Sequence, residues 1–123
     1  MRPVYRIDVE TALERIRPIL SKRRLAVLFG SALYSQEVHD IDILIDGRDL
    51  EEALRLAAEL ELAIRAPVDV VPLELAPPCL AAEALAKGVI ITADPDYLDE
   101  AAYLAAGQCQ DLLLKLREVG IIL

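Results

Sequence analysis

Apolar positions along the chain recur in two rhythms. Four short apolar runs, Leu25-Ala26-Val27-Leu28-Phe29, Ile41 to Ile45, Val68 to Val71 and Val89-Ile90-Ile91-Thr92, have the length and β-branched content of strands. Between them the apolar residues fall three and four apart, the spacing of a helix with one buried face. Asp8 caps a first helix with Leu13, Ile16 and Leu20 inward, and Pro18 is expected to kink or restart it. Asp49, with Glu52 three residues later, opens a second whose stripe is Leu50, Ala53, Leu54, Ala57, Leu60 and Ile64. Leu80 to Lys87 forms a short third helix stopped by Gly88. Asp94-Pro95 starts a fourth that runs to about Glu118, with Gly107 as its weak point. Alternating helices and strands predict an α/β (α+β) domain over residues 1–123, a small sheet of about four strands flanked by helices and ending in a long C-terminal helix.

Turn signals separate these elements. Gly30 stops the first strand, Ser31 to Val38 forms a connection with room for one helical turn, Asp46-Gly47 turns the chain, and Pro72 and Pro77-Pro78 close the third strand and the loop after it. The last helix carries Leu98, Ala101, Ala105, Leu112, Leu113 and Leu116, a stripe wider than one small sheet needs, which points to a partner.

Composition narrows the function classes. Hydrophobic residues make up 55% of the chain and charged ones 28%, too apolar for disorder, while no apolar run approaches the length of a membrane span. Basic residues near the N-terminus are not followed by the apolar segment of a secretion signal, so a cytoplasmic protein is expected. The two cysteines, Cys79 and Cys109, are read as small buried hydrophobes rather than a disulfide or metal pair. With 21 acidic residues against 13 Lys and Arg, the net charge of −8 disfavours a nucleic-acid substrate and favours a basic protein partner. A local basic stretch, Arg15, Arg17, Lys22, Arg23 and Arg24, is a solvated helix face or an attractor for a nucleotide or an acidic surface.

The acids inside the strands carry the chemistry. Asp40 and Asp42 lie two residues apart at the start of an apolar strand, so they share one face while Ile41 and Ile43 point to the other. Like charges so placed call for a cation, and carboxylate oxygens suit Mg²⁺ held jointly with nucleotide phosphates. The alternative is a polar, inert face on an edge strand. Gly30 lets a phosphate approach the backbone, and Ser31 offers a hydroxyl and an amide to it. If Asp69 arrives on a neighbouring strand, it completes a clamp for two ions and accepts a proton from an attacking hydroxyl; the expected reaction is nucleotidyl transfer with pyrophosphate leaving. His39 has a local structural role or a part in substrate or proton handling, and Tyr34 and Tyr103 are core or surface aromatics.

Phe29-Gly30-Ser31, Asp40-Ile41-Asp42 and Val68-Asp69-Val70, followed by Lys87-Gly88-Val89-Ile90-Ile91 and a long last helix, resemble the minimal nucleotidyltransferase family of the polymerase β-like superfamily, from about Ile16 to the C-terminus. The resemblance implies a mixed sheet in the nucleotidyltransferase fold. It also implies Gly30 and Ser31 as the nucleotide-binding turn, and Asp40, Asp42 and Asp69 as the catalytic and metal-binding acids. Proteins of this kind are antitoxins of HEPN-domain RNase toxins and transfer AMP from ATP to a tyrosine of that partner, using Mg²⁺. Homo- or hetero-oligomers are implied, membrane association and direct nucleic-acid binding are not. An alternative from the same fold is a binding module with a weakened site that neutralises a toxin by complex formation alone; adenylylation of a small molecule is a third reading. Two departures from the family pattern stand out: only eight residues separate Ser31 from Asp40, and Ala32-Leu33-Tyr34-Ser35 has neither the Arg nor the Gly that commonly follow the Gly-Ser pair.

Overall fold

The computed structural model describes residues 2–122. In chain order the elements are β1 (Tyr5–Arg6), α1 (Val9–Leu20), β2 (Leu25–Phe29), β3 (Glu37–Val38), β4 (Ile41–Ile45), α2 (Leu50–Ile64), β5 (Val68–Pro72), α3 (Pro78–Lys87), β6 (Val89–Ala93) and α4 (Pro95–Glu118), with single 3₁₀ turns at Gly30–Leu33 and Leu73–Leu75. The main sheet has the order β5-β4-β2-β6. It is mixed: β4 runs parallel to β5, whereas β2 is antiparallel to both β4 and β6.

Helices cover both faces. Ala26, Leu28, Ile41, Ile43, Ile45, Val68 and Val70 point to one side and pack with Ile16 and Leu20 of α1 and Ala53, Ala57 and Leu60 of α2. The alternate residues Leu25, Val27 and Leu44 point to the other side and meet Ala84 of α3 and the start of α4 at Tyr97 and Leu98. Burial on both faces is why the strands read as continuous apolar runs. Each fully buried Ile or Leu, such as Ile16, Leu20, Ile43 and Leu60, contributes about 1.5–3 kcal/mol to this core.

Local rules account for most boundaries. The Asp49 carboxylate accepts from the Glu52 amide at 3.1 Å, and that of Asp94 from the Asp96 amide at 3.1 Å, so α2 and α4 begin where the capping residues stand. Gly107 does not interrupt α4. Pro18 does not restart α1, because the backbone bond it forfeits falls in the last turn, where little helix remains to break. Pro72 is the last residue of β5 rather than its stop; β5 is an edge strand, where a missing amide donor is tolerated. Leu50 and Leu54, expected on the buried stripe of α2, are 56% and 63% exposed.

The cysteines overturn their reading. Cys79 of α3 and Cys109 of α4 form a disulfide, with Cα atoms 4.7 Å apart, and neither is fully buried. α3 and α4 pack against one another, and that contact, invisible in a separation of 30 residues, brings the thiols together. Among the described residues no helix is long and apolar enough to cross a membrane.

Candidate active site

Strand directions bring the sequence motifs to one end of the sheet. β2 ends there at Phe29, followed by the Gly30 turn; β4, β5 and β6 all begin there, at Ile41, Val68 and Val89. Phe29 pairs with Asp42, and Asp42 lies in register with Asp69 on the parallel neighbour. Within each strand these positions alternate with the residues packed under α1 and α2, so Asp42 and Asp69 stand on the α3 side of the sheet. The sequence expectation that Asp69 arrives beside Asp42 is met by a single strand pairing.

Asp40 directly precedes β4, and its carboxylate meets the Arg2 guanidinium at 3.0 Å. Asp42 is half-buried and its carboxyl is pushed up to about 6, first by burial and then by the carboxylates of Asp40 and Asp69, with Arg2 opposing. The three acids therefore share one electrostatic site that favours a cation, and Arg2, 67% exposed at its side chain, supplies part of that charge. Among the described residues no three acids, histidines or cysteines converge as a ready metal cage. The donor set is nonetheless of the right chemistry for a hard divalent ion, since carboxylate oxygens with unmet negative charge are what such an ion requires.

Gly30 faces the acids with a positive φ of 82°, and a Cβ built on it would lie 2.3 Å from Asp42 Oδ2. Both the conformation and the space demand glycine, so the turn's backbone and the Asp42 carboxylate are in direct contact. Ser31 follows in the 3₁₀ turn and is exposed. Beside them opens a cleft of about 210 Å³, walled by Phe29, Leu33 and Tyr34 on one side and by Leu80, Glu83 and Lys87 of α3 on the other, with Gly30 and Asp42 in its lining. Tyr34, read as a core or surface aromatic, and Glu83 and Lys87, given no site role, also line the cleft; the last two face it only because α3 packs over β2.

Two other expectations resolve structurally. The end of the basic stretch, Arg23 and Arg24, stands at the opposite end of the sheet, where Arg23 binds Asp46 through Nε at 3.0 Å, its backbone carbonyl at 2.8 Å, and the Glu52 carboxylate through Nη1. Arg24 lies over the Tyr97 ring, 4.2 Å from its centre. His39 Nδ1 donates to the Pro3 carbonyl at 3.0 Å, one of several bonds tying residues 2–7 along residues 36–40, together with the pairing of β1 and β3. That strap was not foreseen, and it is what delivers Arg2 to Asp40.

No protein of curated function matches the chain significantly. Solved structures do. A chain in the complex of tri-AMPylated Shewanella oneidensis HEPN toxin with MNT antitoxin is 25% identical, with a TM-score of 0.74 over 89% of this chain and 93% of that one. A chain of a toxin-antitoxin complex with AMP-PNP is 22% identical, with a TM-score of 0.73 over 92% and 95%. One from the toxin-antitoxin complex MntA-HepT is 23% identical, with a TM-score of 0.68 over 89% and 91%. The family model for polymerase beta nucleotidyltransferases matches residues 14–96, the span that holds the Gly30-Ser31 turn and all three acids. With that match over residues 14–96, this chain belongs to the polymerase beta nucleotidyltransferases.

Proposed function

We propose that this chain is a Mg²⁺-dependent nucleotidyltransferase that transfers AMP from ATP to a hydroxyl of a protein partner, a tyrosine of a HEPN-type toxin, and so acts as its antitoxin in the cytoplasm. The observation that carries the reading is the register of Asp42 with Asp69 beside the Gly30 turn. Support for the partner comes from the relatives, one of which is a complex of a tri-AMPylated toxin with MNT antitoxin, and support for the nucleotide from another that contains AMP-PNP.

In this reading the Gly30 and Ser31 backbone and the Ser31 hydroxyl bind the terminal phosphates. Asp40, Asp42 and Asp69 would hold two Mg²⁺ ions, which when bound supply the positive charge that offsets the phosphates and polarises the phosphoryl group. Arg2 holds Asp40 in a largely exposed pair worth little in water, so that carboxylate would remain available to a metal ion. The acceptor oxygen attacks the α-phosphorus, its proton passes to the Asp69 carboxylate, and the bond to the bridging oxygen breaks with its electron pair leaving on pyrophosphate. A reading in which the chain neutralises its partner by binding alone draws on one observation, the leucines of α4 exposed beyond the packed core, Leu104, Leu112, Leu113 and Leu114.

The deciding experiment incubates the chain with ATP labelled at the α-phosphate, Mg²⁺ and a HEPN-domain partner. Label is expected on a partner tyrosine and is lost with Asp42→Asn. Inhibition of the partner without any label on it would replace transfer with occupancy.

A further inference from the structure

The candidate site has a deficit of positive charge on its nucleotide side. A triphosphate seated on the Gly30-Ser31 turn brings several negative charges next to Asp42, and the turn itself offers only backbone amides and a hydroxyl. None of the five residues of the basic stretch lines the cleft, and Arg23 and Arg24 are engaged with Asp46, Glu52 and Tyr97 at the far end of the sheet. Residues 32–35 after the turn carry no basic side chain. One residue of the cleft does. Lys87, in the last turn of α3, is the single basic side chain among the described residues lining the cleft with Gly30 and Asp42.

We infer that Lys87 is a phosphate-contacting residue, whose ammonium grips the β- and γ-phosphates of the bound nucleotide and stabilises the pyrophosphate as it leaves. Its placement is built into the fold. A Cβ on the adjacent Gly88 would lie 2.4 Å from Val27 Cγ1 and 2.7 Å from the Leu28 carbonyl, so the end of α3 is seated directly on β2. Val89 then pairs with Leu28, one residue before Phe29 and the turn. The ammonium has no committed partner: Glu83 Oε1 is 3.8 Å away, and both side chains are about two-thirds exposed, a pair worth little in water. A lysine on a flexible stem at the mouth of a cleft can follow the leaving group as a point charge, which a backbone turn cannot.

This inference rests on the proposed nucleotidyl transfer, and calorimetric titration in the presence of Mg²⁺ separates the two. Wild-type chain is expected to bind ATP more tightly than AMP. In Lys87→Ala the ATP affinity falls by about tenfold or more, as for loss of one charge-assisted contact, while AMP changes by less than about twofold. Lys87→Arg keeps most of the preference. A Lys87→Ala variant with the ATP-to-AMP ratio of the wild type overturns the role of Lys87 and leaves the transferase reading standing. Failure of the wild type to bind ATP overturns both.

Discussion

Replacing Asp42 by Asn should stabilise the protein in the absence of divalent ions. The carboxyl is raised from 3.8 to about 6 by burial and by Asp40 and Asp69, so in the folded state its charged form is disfavoured. About two pK units correspond to roughly 3 kcal/mol, and solvent screening at a half-buried position reduces this to about 1–2 kcal/mol. The sign follows from proton binding. Below the unfolded pKa the group is protonated in both states and the charge costs nothing. As pH rises towards 6 the unfolded chain releases the proton first, so stability falls across that window and then levels off. The amide matches the carboxylate in size and cannot ionise, which removes the slope. Urea denaturation of both proteins in EDTA from pH 4 to pH 7 is the assay. The variant's advantage should be no more than about 0.3 kcal/mol at pH 4 and about 1–2 kcal/mol at pH 7, or roughly 5 °C in Tm. Excess Mg²⁺ should narrow the gap by stabilising the wild type. A variant less stable than wild type at pH 7, or a difference that does not vary with pH, would refute the reasoning and return Asp42 to an ordinary structural role.

Two further expectations concern the frame that holds the cleft. Reducing the Cys79–Cys109 bond, or replacing both cysteines by Ser, releases a closed loop of 30 residues' separation and should cost about 3.5 kcal/mol in the chain-entropy model, read as a drop of roughly 10–15 °C in Tm; two free thiols in the untreated protein would contradict the crosslink. Gly88→Ala forces a methyl group against Val27 and the Leu28 and Ala84 carbonyls and should destabilise the fold by more than the about 1–3 kcal/mol of ordinary overpacking, since backbone cannot yield as a side chain can; a Tm within a degree or so of wild type would show that α3 does not sit tightly on β2.

How far each feature was legible depends on the distance over which its cause acts. Capping at Asp49 and Asp94, the Gly30 stop and the apolar runs are settled by neighbours a few residues apart, so elements such as β2, β4 and α4 could be drawn from the chain alone. The acids were conspicuous for a similar local reason, because charge inside an apolar run is costly and needs an explanation. Leu50 and Leu54 were misplaced because helical spacing marks a stripe without saying how much of it the sheet can cover.

By itself, then, the sequence determined the main helices and strands and singled out Gly30, Ser31, Asp40, Asp42 and Asp69 as candidates, through local sterics and the cost of buried charge. Tertiary structure alone decided what meets what. The parallel pairing of β4 with β5 set Asp69 beside Asp42, the packing of α3 on β2 brought Lys87 and Glu83 to the cleft, the β1–β3 strap delivered Arg2 to Asp40, and the α3–α4 contact joined Cys79 to Cys109. These contacts span tens of residues, and their partners are chosen by the shape and burial of whole elements, which no local pattern records.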